Sequence, residues 1–214
     1  MFHVEHRAQL IDVFKRAGLS PADPFLDGAA QHLANLYKWN EKQNLTSVAA
    51  AEAAERHVLD SVLPFVDLKS ADTVLDIGSG AGFPGVPLAL WWRASQVTLL
   101  EPRRRRRSFL ETTCASLELG CPIRAERLEQ IASESWSLVT SRGTLPWAEL
   151  LLQTPPYVRP GGLLVALLGP DVSPTAEDLS TIRHHATAWS SLSTVAYVLP
   201  GGRKRVALHA QRAT

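Results

Sequence analysis

A short glycine-rich stretch contains the residues best suited to holding a small ligand. The apolar run 73–77 carries Asp76 near its end and is followed by Gly78, Gly80 and Gly82. Glycine lets the backbone approach a ligand where a side chain would collide with it. A carboxylate at this position suits a ligand ammonium group and would repel a pyrophosphate. The spacing therefore indicates a ligand-binding loop between a strand and a helix, rather than an ordinary turn.

A second carboxylate, Glu101, ends the next strand candidate, 25 residues after Asp76. In nucleotide-binding α/β folds such a carboxylate accepts hydrogen bonds from ribose hydroxyls, so Glu101 favours an adenosyl ligand. The Asp-x-Gly-x-Gly-x-Gly pattern resembles the first motif of Rossmann-like S-adenosylmethionine (SAM) methyltransferases, whose loop holds the methionine part of the cofactor. NAD folds use the same ribose acceptor, and Gly80-x-Gly82-x-x-Gly85 also matches the dinucleotide fingerprint. A non-catalytic adenosyl-nucleotide binding protein therefore stays open as an alternative.

The rest of the chain supplies elements that would position these residues. Strand candidates alternate with helical patterns, which favours an α/β fold with a mainly parallel sheet and helices on both faces. The last two candidates are joined only by "PGGRK", which predicts an antiparallel hairpin. Seven strands ending in such a hairpin resemble the class I SAM-dependent methyltransferase variant of the Rossmann-like fold. The candidates are residues 73–77, 96–101, 122–126, 137–142, 162–168, 193–199 and 205–210.

Residues 1–68 are predicted to form a helical region that packs on a methyltransferase domain of residues 69–214. Apolar residues recur at helical spacing in three N-terminal segments, which are residues 5–19, 24–40 and 52–66. His57 and Asp60 share one face of the third segment. We expect this pair mainly to pack the helical region on the other domain.

The composition excludes several other classes of protein. The net charge is +1 over 214 residues, so nucleic-acid binding requires a local basic patch. No apolar stretch approaches the ~18 residues of a membrane span, and the first ten residues do not resemble a signal peptide. Cys114 and Cys121 lack the spacing of a zinc site, and two thiols without a secretory signal fit a reduced cytoplasmic location. We expect no membrane or metal partner, and a monomer is the default because the sequence is silent on oligomeric state.

Further motifs, taken in chain order, resemble those of one family. They are "KWNEKQNLTS" (38–47), "RHVLDS" (56–61), "DIGSGAGFPGVPLAL" (76–90), the acidic end of "TLLE" with the basic residues and "FLE" that follow (98–111), and "SRG" (141–143). The Phe-Pro-Gly-Val-Pro continuation of the glycine loop is particularly characteristic. The set is similar to the bacterial small-subunit ribosomal RNA methyltransferase G family, also called glucose-inhibited division protein B. The resemblance covers roughly residues 30–210.

The resemblance implies methyl transfer from SAM to N7 of a guanine in 16S ribosomal RNA, which leaves S-adenosylhomocysteine. The substrate is either the free RNA or the small ribosomal subunit. A SAM methyltransferase with another RNA or small-molecule acceptor is the alternative among enzymes. The family's cofactor contacts fall on Gly78, Phe83, Leu128, Glu129 and Arg142. Leu128 and Glu129 would flank the adenine, and Arg142 would lie where substrate and cofactor meet.

Three features bear on the acceptor. Leu168 stands where family members commonly carry lysine, and Gly143 stands where alanine is usual. "TPPY" at 154–157 is similar to a motif of amino-group methyltransferases, but that motif should directly follow the fourth strand. Here the predicted fourth strand ends about a dozen residues earlier. An exocyclic amine is therefore not the expected acceptor, and guanine N7, which has a free lone pair, requires no general base.

Five consecutive arginines, residues 103–107, follow Glu101. On a helix that begins about Pro102, Arg106 falls on the apolar stripe, so we expect it to pack and to pair its charge near the site. Cations at a helix N-terminus oppose the macrodipole, so acidic side chains or RNA phosphates should compensate them. The candidate phosphate contacts are Arg104, Arg105 and Arg107 on this helix, and Arg203, Lys204 and Arg205 in the hairpin turn.

Overall fold

One sheet organises the chain, which a computed structural model describes for residues 2–131, 134–169 and 171–214. Its strand order is β3-β2-β1-β4-β5-β7-β6. The strands are β1 (Thr73–Ile77), β2 (Gln96–Leu100), β3 (Ile123–Arg124), β4 (Trp136–Arg142), β5 (Val158–Leu167), β6 (Trp189–Val198) and β7 (Lys204–Arg212). Pairs among β1 to β5 are parallel, whereas β7 pairs antiparallel with both β5 and β6. The predicted seven-stranded sheet with a C-terminal antiparallel hairpin is confirmed.

Helices of very different length precede the first strand and connect the strands. They are α1 (Phe2–Arg16), α2 (Asp23–Gln43), α3 (Asp60–Val62), α4 (Gly85–Trp91), α5 (Arg104–Ser116), α6 (Trp147–Gln153) and α7 (Ala176–Arg183). Proline in the first turn starts α2, and Asn44 ends it in the left-handed conformation, with a φ of 48°. Across the described ranges, none of these helices is long and apolar enough to cross a bilayer.

Residues 50–65 depart from the regular helix predicted for residues 52–66. A 3-10 turn (Ala50–Glu52) precedes a π-helical turn (Ala54–Leu59), the single turn α3 and a second 3-10 turn (Leu63–Phe65). Pro64 has no N–H to donate to a carbonyl one turn earlier, so regular helix cannot continue past it. We call residues 50–65 the irregular segment; it buries His57 and Asp60.

Two hydrophobic clusters cover the two faces of the sheet. Side chains alternate along a strand, so Val74 of β1 joins the first cluster and Leu75 joins the second. The first cluster also contains Phe14 of α1 and Leu33 of α2. The second cluster contains Leu151 of α6. The N-terminal helices thus complete the core on one face of the sheet.

The strand order reverses between β1 and β4, which are neighbours in the sheet. In open α/β sheets, ligands bind beyond the carboxyl ends of the strands at such a switch point. The glycine loop follows β1, and Arg142 is the last residue of β4. The sheet therefore brings both features to the edge where a ligand site is expected.

The shared core predicts that Phe14→Ala destabilises the whole chain rather than the N-terminal helices alone. The ring of Phe14 is fully buried and lies 5.4 Å from the ring of Phe25 and 6.3 Å from that of Trp91, at the end of α4. We expect the free energy of unfolding to fall by about 3–5 kcal/mol in a single urea transition. Circular dichroism and tryptophan fluorescence should report the same midpoint.

Ile11→Ala is the matched control for Phe14→Ala, because Ile11 lies on the same helix with 42% of its surface exposed. It should change the free energy of unfolding by no more than about 0.5 kcal/mol. A separate early transition in Phe14→Ala, with the remaining signal unfolding at the wild-type midpoint, would contradict the shared core.

Candidate functional site

A cavity of about 390 Å³ lies at the carboxyl ends of β1, β2 and β4. Small-molecule sites typically have volumes of about 300–1,000 Å³. Of the predicted cofactor residues, Gly78, Gly80, Phe83, Glu101 and Arg142 line it. The full lining is Leu45, His57, Gly78, Ser79, Gly80, Ala81, Phe83, Glu101, Pro102, Arg103, Arg106, Arg142, Gly143 and Thr144.

The glycine loop has a conformation that other residues would adopt only with strain. Gly78, Gly80 and Gly82 have φ values of 68°, 58° and 88°. A Cβ on Gly78 would lie 2.5 Å from the Cγ2 atom of Thr144, so the position is also sterically closed. A Cβ on Gly80 would make ordinary van der Waals contact without a clash, since its nearest atom would be 3.6 Å away, on Arg106. The loop therefore presents bare backbone to the cavity at Gly80.

Glu101 connects the glycine loop to the start of α5. Its carboxylate is 2% exposed, with Oε2 accepting the Gly80 N–H at 2.9 Å and Oε1 accepting the Arg103 N–H at 2.8 Å. The Arg106 guanidinium lies 3.9 Å from Oε2. Each carboxylate oxygen keeps acceptor capacity after one backbone hydrogen bond. Glu101 can therefore receive hydroxyl donors from a ligand in the cavity, and its contact with a ribose stays a prediction.

Asp76 does not lie where its predicted contact with a ligand ammonium requires. Its side chain is fully buried beneath the loop and is not part of the cavity lining. Oδ2 accepts the Gly85 N–H at 3.1 Å, and Oδ1 has no hydrogen-bond partner among the described residues. Burial raises the pKa of Asp76 to about 7. In this arrangement the carboxyl group fixes the junction between the glycine loop and α4 and makes no direct contact with the cavity.

The residues predicted to flank an adenine lie outside the cavity lining. Leu128 is buried in the second hydrophobic cluster, and Glu129 is exposed on the 3-10 turn Leu128–Gln130. The carbonyl of Leu128 accepts a hydrogen bond from the Tyr157 hydroxyl at 2.7 Å. The turn follows β3, which neighbours β2 in the sheet, so it lies on the Glu101 side of the site.

Arg142, Phe83 and His57 form the opposite wall, and His32 packs on Phe83. The Phe83 ring stacks between His32 and His57, with centroid distances of 4.5 and 4.6 Å. The Arg142 guanidinium carbon lies 5.1 Å from the Phe83 centroid, within the range of a cation–π contact. Burial, and then the charge of Arg142, lowers the pKa of His57 to about 3. Burial lowers that of His32 to about 4, so both rings are neutral near pH 7.

Asp60 joins this wall to the C-terminal hairpin. Its buried carboxylate accepts the Tyr197 hydroxyl at 2.9 Å and the Arg205 Nε–H at 3.4 Å. The same carboxylate lies 3.7 Å from the Arg142 guanidinium. Burial and the charge of Asp60 raise the pKa of Tyr197. The expectation that His57 and Asp60 pack the helical region on the sheet domain is thus incomplete, because His57 also lines the cavity.

The arginine run divides between the cavity and the surface. Arg106 lies near Glu101, as predicted, and Arg103 also lines the cavity. Arg107 is half-buried, and its Nη1 donates to the carbonyl of Pro102 at 2.8 Å, so its head group is partly engaged. Arg104 and Arg105 are exposed. Arg103 is exposed as well, so the run presents the charges of Arg103, Arg104 and Arg105 to solvent.

The hairpin turn corrects one predicted phosphate contact. Arg205 has only 12% of its side chain exposed, because it pairs with the buried Asp60. Arg203 is exposed but pairs with Glu52 of the irregular segment at 2.8 Å. Lys204 is exposed. Arg205 is therefore an internal ion-pair partner, and the turn keeps Lys204 and Arg203 on its surface.

Several lining residues were not identified from the sequence. Leu45 belongs to the motif at residues 38–47, and Thr144 directly follows the "SRG" motif, so both lay beside signals that were recognised. Thr144 donates its hydroxyl to the carbonyl of Ile77 at 3.0 Å. Its contact with Gly78 required the three-dimensional pairing of β1 with β4.

The remaining sequence features lie away from the cavity. "TPPY" forms the 3-10 turn Pro155–Tyr157 between α6 and β5, as its spacing predicted. Leu168 is half-buried against the second hydrophobic cluster. Cys114 and Cys121 are free thiols. Within the described ranges, no group of three or more His, Cys, Asp or Glu residues could hold a metal ion.

Comparison with known sequences matches most of the chain to one family. The family model described as rRNA small subunit methyltransferase G matches residues 26–203. The Ribosomal RNA small subunit methyltransferase G of Myxococcus xanthus is 35% identical over 187 residues, covering 84% of this chain and 85% of the relative. That of Sorangium cellulosum is 41% identical over 147 residues, covering 64% of this chain and 62% of the relative.

Comparison with solved structures supports the fold. A methyltransferase from Pyrococcus furiosus superposes with a TM-score of 0.60 at 15% identity, covering 86% of this chain and 98% of that chain. A 16S rRNA methyltransferase of T. thermophilus, solved with AdoMet and guanosine, gives a TM-score of 0.51 at 21% identity, covering 73% and 39%. At these identities the likeness concerns the fold, and it confirms the predicted methyltransferase fold class.

The buried Asp76 predicts a specific pH dependence of stability. Its pKa rises from an ordinary 3.8 to about 7 in the folded chain, so the native state holds a proton that the unfolded state releases. This group's contribution is complete below about pH 4 and is lost as the pH rises through 7, at ~1.4 kcal/mol per unit of pKa difference. In urea unfolding at several pH values, the free energy of unfolding should fall less steeply with rising pH in Asp76→Asn than in the wild type.

The exposed Asp67 provides the control for that measurement. The free energy of unfolding of Asp67→Asn should fall with rising pH as steeply as that of the wild type. Identical slopes for Asp76→Asn and the wild type between about pH 5 and pH 8 would contradict the raised pKa.

Proposed function

The chain belongs to the rRNA small subunit methyltransferase G family, and on that premise we propose that it methylates N7 of a guanine in 16S ribosomal RNA. As a member of this family it is a SAM-dependent ribosomal RNA methyltransferase. The acceptor atom and the role of each site residue are our proposal. S-adenosylhomocysteine is the corresponding product.

The observation that carries the proposed site is the buried Glu101 carboxylate, which accepts the N–H of cavity-lining Gly80. A fixed pair of carboxylate oxygens suits the two hydroxyls of a ribose. The bare loop leaves room for the methionine part of SAM, which supplies an electrophilic methyl group when bound. The residues present therefore fit the cofactor, with Glu101 on the ribose and Gly78, Gly80 and Phe83 around the methionine. Gly82 and Asp76 shape the loop without lining the cavity.

Leu128 and Glu129 are our proposal for the adenine end of the cofactor. They follow β3, which neighbours β2 on the side away from Arg142 and β4. A cofactor with its ribose on Glu101 and its methionine part beside the glycine loop would extend its base in that direction. Arg142 then lies at the methyl end of the cofactor, where the acceptor must enter.

The cavity is suited to an acceptor that needs no deprotonation. Among its described lining residues, Glu101 is engaged by the ribose in this proposal, and the Nδ1 atom of His57 faces Arg142 at 3.4 Å. Neither group is free to act as a general base. Guanine N7 attacks through an existing lone pair, so the protein need only align the reactants and exclude water. An exocyclic amine or a hydroxyl would require proton removal and fits less well.

The RNA must present its guanine out of a helix. N7 faces the deep, narrow major groove of A-form RNA, so the target is an unpaired or flipped base. Exposed Arg104 and Arg105 lie beside cavity-lining Arg103, where they can contact phosphates. Acting on ribosomal RNA places the protein in the cytoplasm in our proposal, with free RNA or the small subunit as substrate and a monomer as the acting form.

The acceptor is tested with tritiated SAM on small ribosomal subunits, naked 16S ribosomal RNA and DNA, followed by nucleoside identification. We expect label in 7-methylguanosine from one of the two ribosomal substrates and none in DNA. Label confined to another nucleoside would reject N7 while retaining methyl transfer. SAM binding without transfer to small-subunit RNA would reject the proposed substrate.

The glycine loop predicts that Gly80→Val greatly weakens SAM binding. A β-branched side chain at a φ of 58° is strained and would project toward the cavity. We expect the dissociation constant for SAM, measured by isothermal titration calorimetry, to rise about 100-fold or more, or ~2.7 kcal/mol. Gly120→Val is the control, because Gly120 is exposed and has no atom near an added Cβ. Wild-type affinity in Gly80→Val would argue against this cavity.

The division of the basic residues predicts different effects on RNA binding. The double variant Arg104→Ala, Arg105→Ala should weaken RNA binding and reduce the salt slope by about 0.7 for each lost phosphate contact, with SAM affinity unchanged. Arg205→Ala should leave the slope unchanged and instead lower the free energy of unfolding, because the buried Asp60 loses a partner. Filter binding at several salt concentrations measures the slopes. Unchanged RNA affinity in the double variant would remove both arginines from the interface.

A further inference from the structure

The orientation of Arg142 is set by residues of the N-terminal region, far from it in sequence. Its Nη2 faces the Nδ1 atom of His57 at 3.4 Å, and its Nη1 donates to the carbonyl of Arg56 at 3.3 Å. The Asp60 carboxylate lies 3.7 Å from the same Nη1. All three partners belong to the irregular segment. The other N–H groups of Arg142, a cavity-lining residue, have no hydrogen-bond partner within the described ranges and are available to a ligand.

The donors and acceptors around His57 allow one assignment of its proton. Arginine can only donate, so the Nδ1 atom facing Arg142 must be an acceptor. A neutral imidazole then carries its proton on Nε2, which lies 2.8 Å from the Thr46 hydroxyl oxygen. Thr46 Oγ1 accepts from this N–H and also from the Val48 N–H at 3.1 Å. Two hydrogen bonds therefore join Thr46 to His57 and His57 to Arg142, with one defined tautomer of His57. We call this chain of contacts the relay.

Further contacts hold Thr46 and the His57 ring in place. The backbone of Thr46 exchanges two hydrogen bonds with the Asn40 side chain, at 2.9 Å each, which fixes the turn after α2. The His57 ring lies 4.6 Å from the Phe83 ring with only 10° between their planes. Stacking limits rotation of the imidazole, so its Nδ1 lone pair keeps pointing at the guanidinium. A site built this way is preorganised before any ligand enters.

We propose that His57, oriented by Thr46, is a positioning residue that holds the Arg142 guanidinium in the geometry required for methyl transfer. The inference rests on the proposed function, in which Arg142 lies where cofactor and acceptor meet. His57 acts through Arg142 and does not itself take a proton from the acceptor. The N-terminal region thus contributes to the active site as well as to the hydrophobic core.

Two substitutions of His57 distinguish the contribution of Nδ1 from that of Nε2. His57→Asn keeps an oxygen acceptor near the Nδ1 position and loses the contact with Thr46, whereas His57→Gln keeps a group near Nε2 and loses the acceptor facing Arg142. We expect His57→Gln to lower the single-turnover rate with saturating SAM about tenfold or more, and His57→Asn to retain more activity. Equal loss in both variants, or no loss in His57→Gln, would overturn the proposal.

A double-mutant cycle distinguishes positioning from general destabilisation. If His57 acts through Arg142, the effect of His57→Gln should shrink to less than about twofold in an Arg142→Ala background. The same fold-loss in both backgrounds would show that His57 acts independently and would refute the proposal. If the His57 variants fold poorly, Thr46→Val can replace His57→Gln in the double-mutant cycle. Thr46→Ser should keep the wild-type rate because it keeps the hydroxyl.

The tautomer gives a test that does not depend on catalysis. Long-range proton–nitrogen correlation spectra of the intact protein should show His57 protonated at Nε2 and unprotonated at Nδ1 near pH 7. Protonation at Nδ1, or of both nitrogens, would overturn the relay. A wild-type protein that shows this tautomer but does not methylate small-subunit RNA would refute the proposed function and not the relay. An active protein without coupling in the cycle would refute the positioning role alone.

Discussion

The hydrogen bonds to the Glu101 carboxylate are the interaction on which the rest of the site depends. One carboxylate at the end of β2 accepts the N–H of Gly80 from the loop after β1 and the N–H of Arg103 at the start of α5. It thereby fixes the two segments that line one side of the cavity. A carboxylate that is 2% exposed needs such partners, because an unpaired buried charge costs several kcal/mol. In the proposed site, ligand binding and local folding thus depend on the same carboxylate.

A second carboxylate, Asp60, has the corresponding role on the other side. It lies between Arg142, which ends β4, and the hairpin residues Tyr197 and Arg205. Glu101 thus lines the cavity and Asp60 contacts the lining residue Arg142, and each of these buried acids joins segments from different parts of the chain. Their negative charges also offset the cations that the site requires for an anionic RNA. Although the net charge of the whole chain is only +1, three arginines line the cavity, which are Arg103, Arg106 and Arg142.

Local patterns predicted the strands and the glycine loop, because alternation and glycine spacing act over a few residues. β1 has its predicted bounds of residues 73–77. The direction of the Asp76 side chain was harder to predict. Asp76 shares the face of Val74, but because a parallel strand is buried on both faces, alternation does not show which side faces a ligand. The contacts between His57 and Arg142 and between Asp60 and Arg205 join residues 85 and 145 positions apart. No local spacing encodes such pairs, so the interior place of Arg205 could not be predicted.

The hairpin ion pair has a consequence for how the protein matures. Asp60 leaves the ribosome during synthesis long before Arg205, which is 145 residues further along the chain, because synthesis proceeds from the N-terminus. Until β7 emerges and inserts between β5 and β6, Asp60 lacks both Arg205 and the docked Tyr197 hydroxyl. The wall that holds Arg142 is therefore among the last parts of the molecule to become native. Asp60 therefore acquires these two partners only after β7 has been synthesised and has paired with β5 and β6.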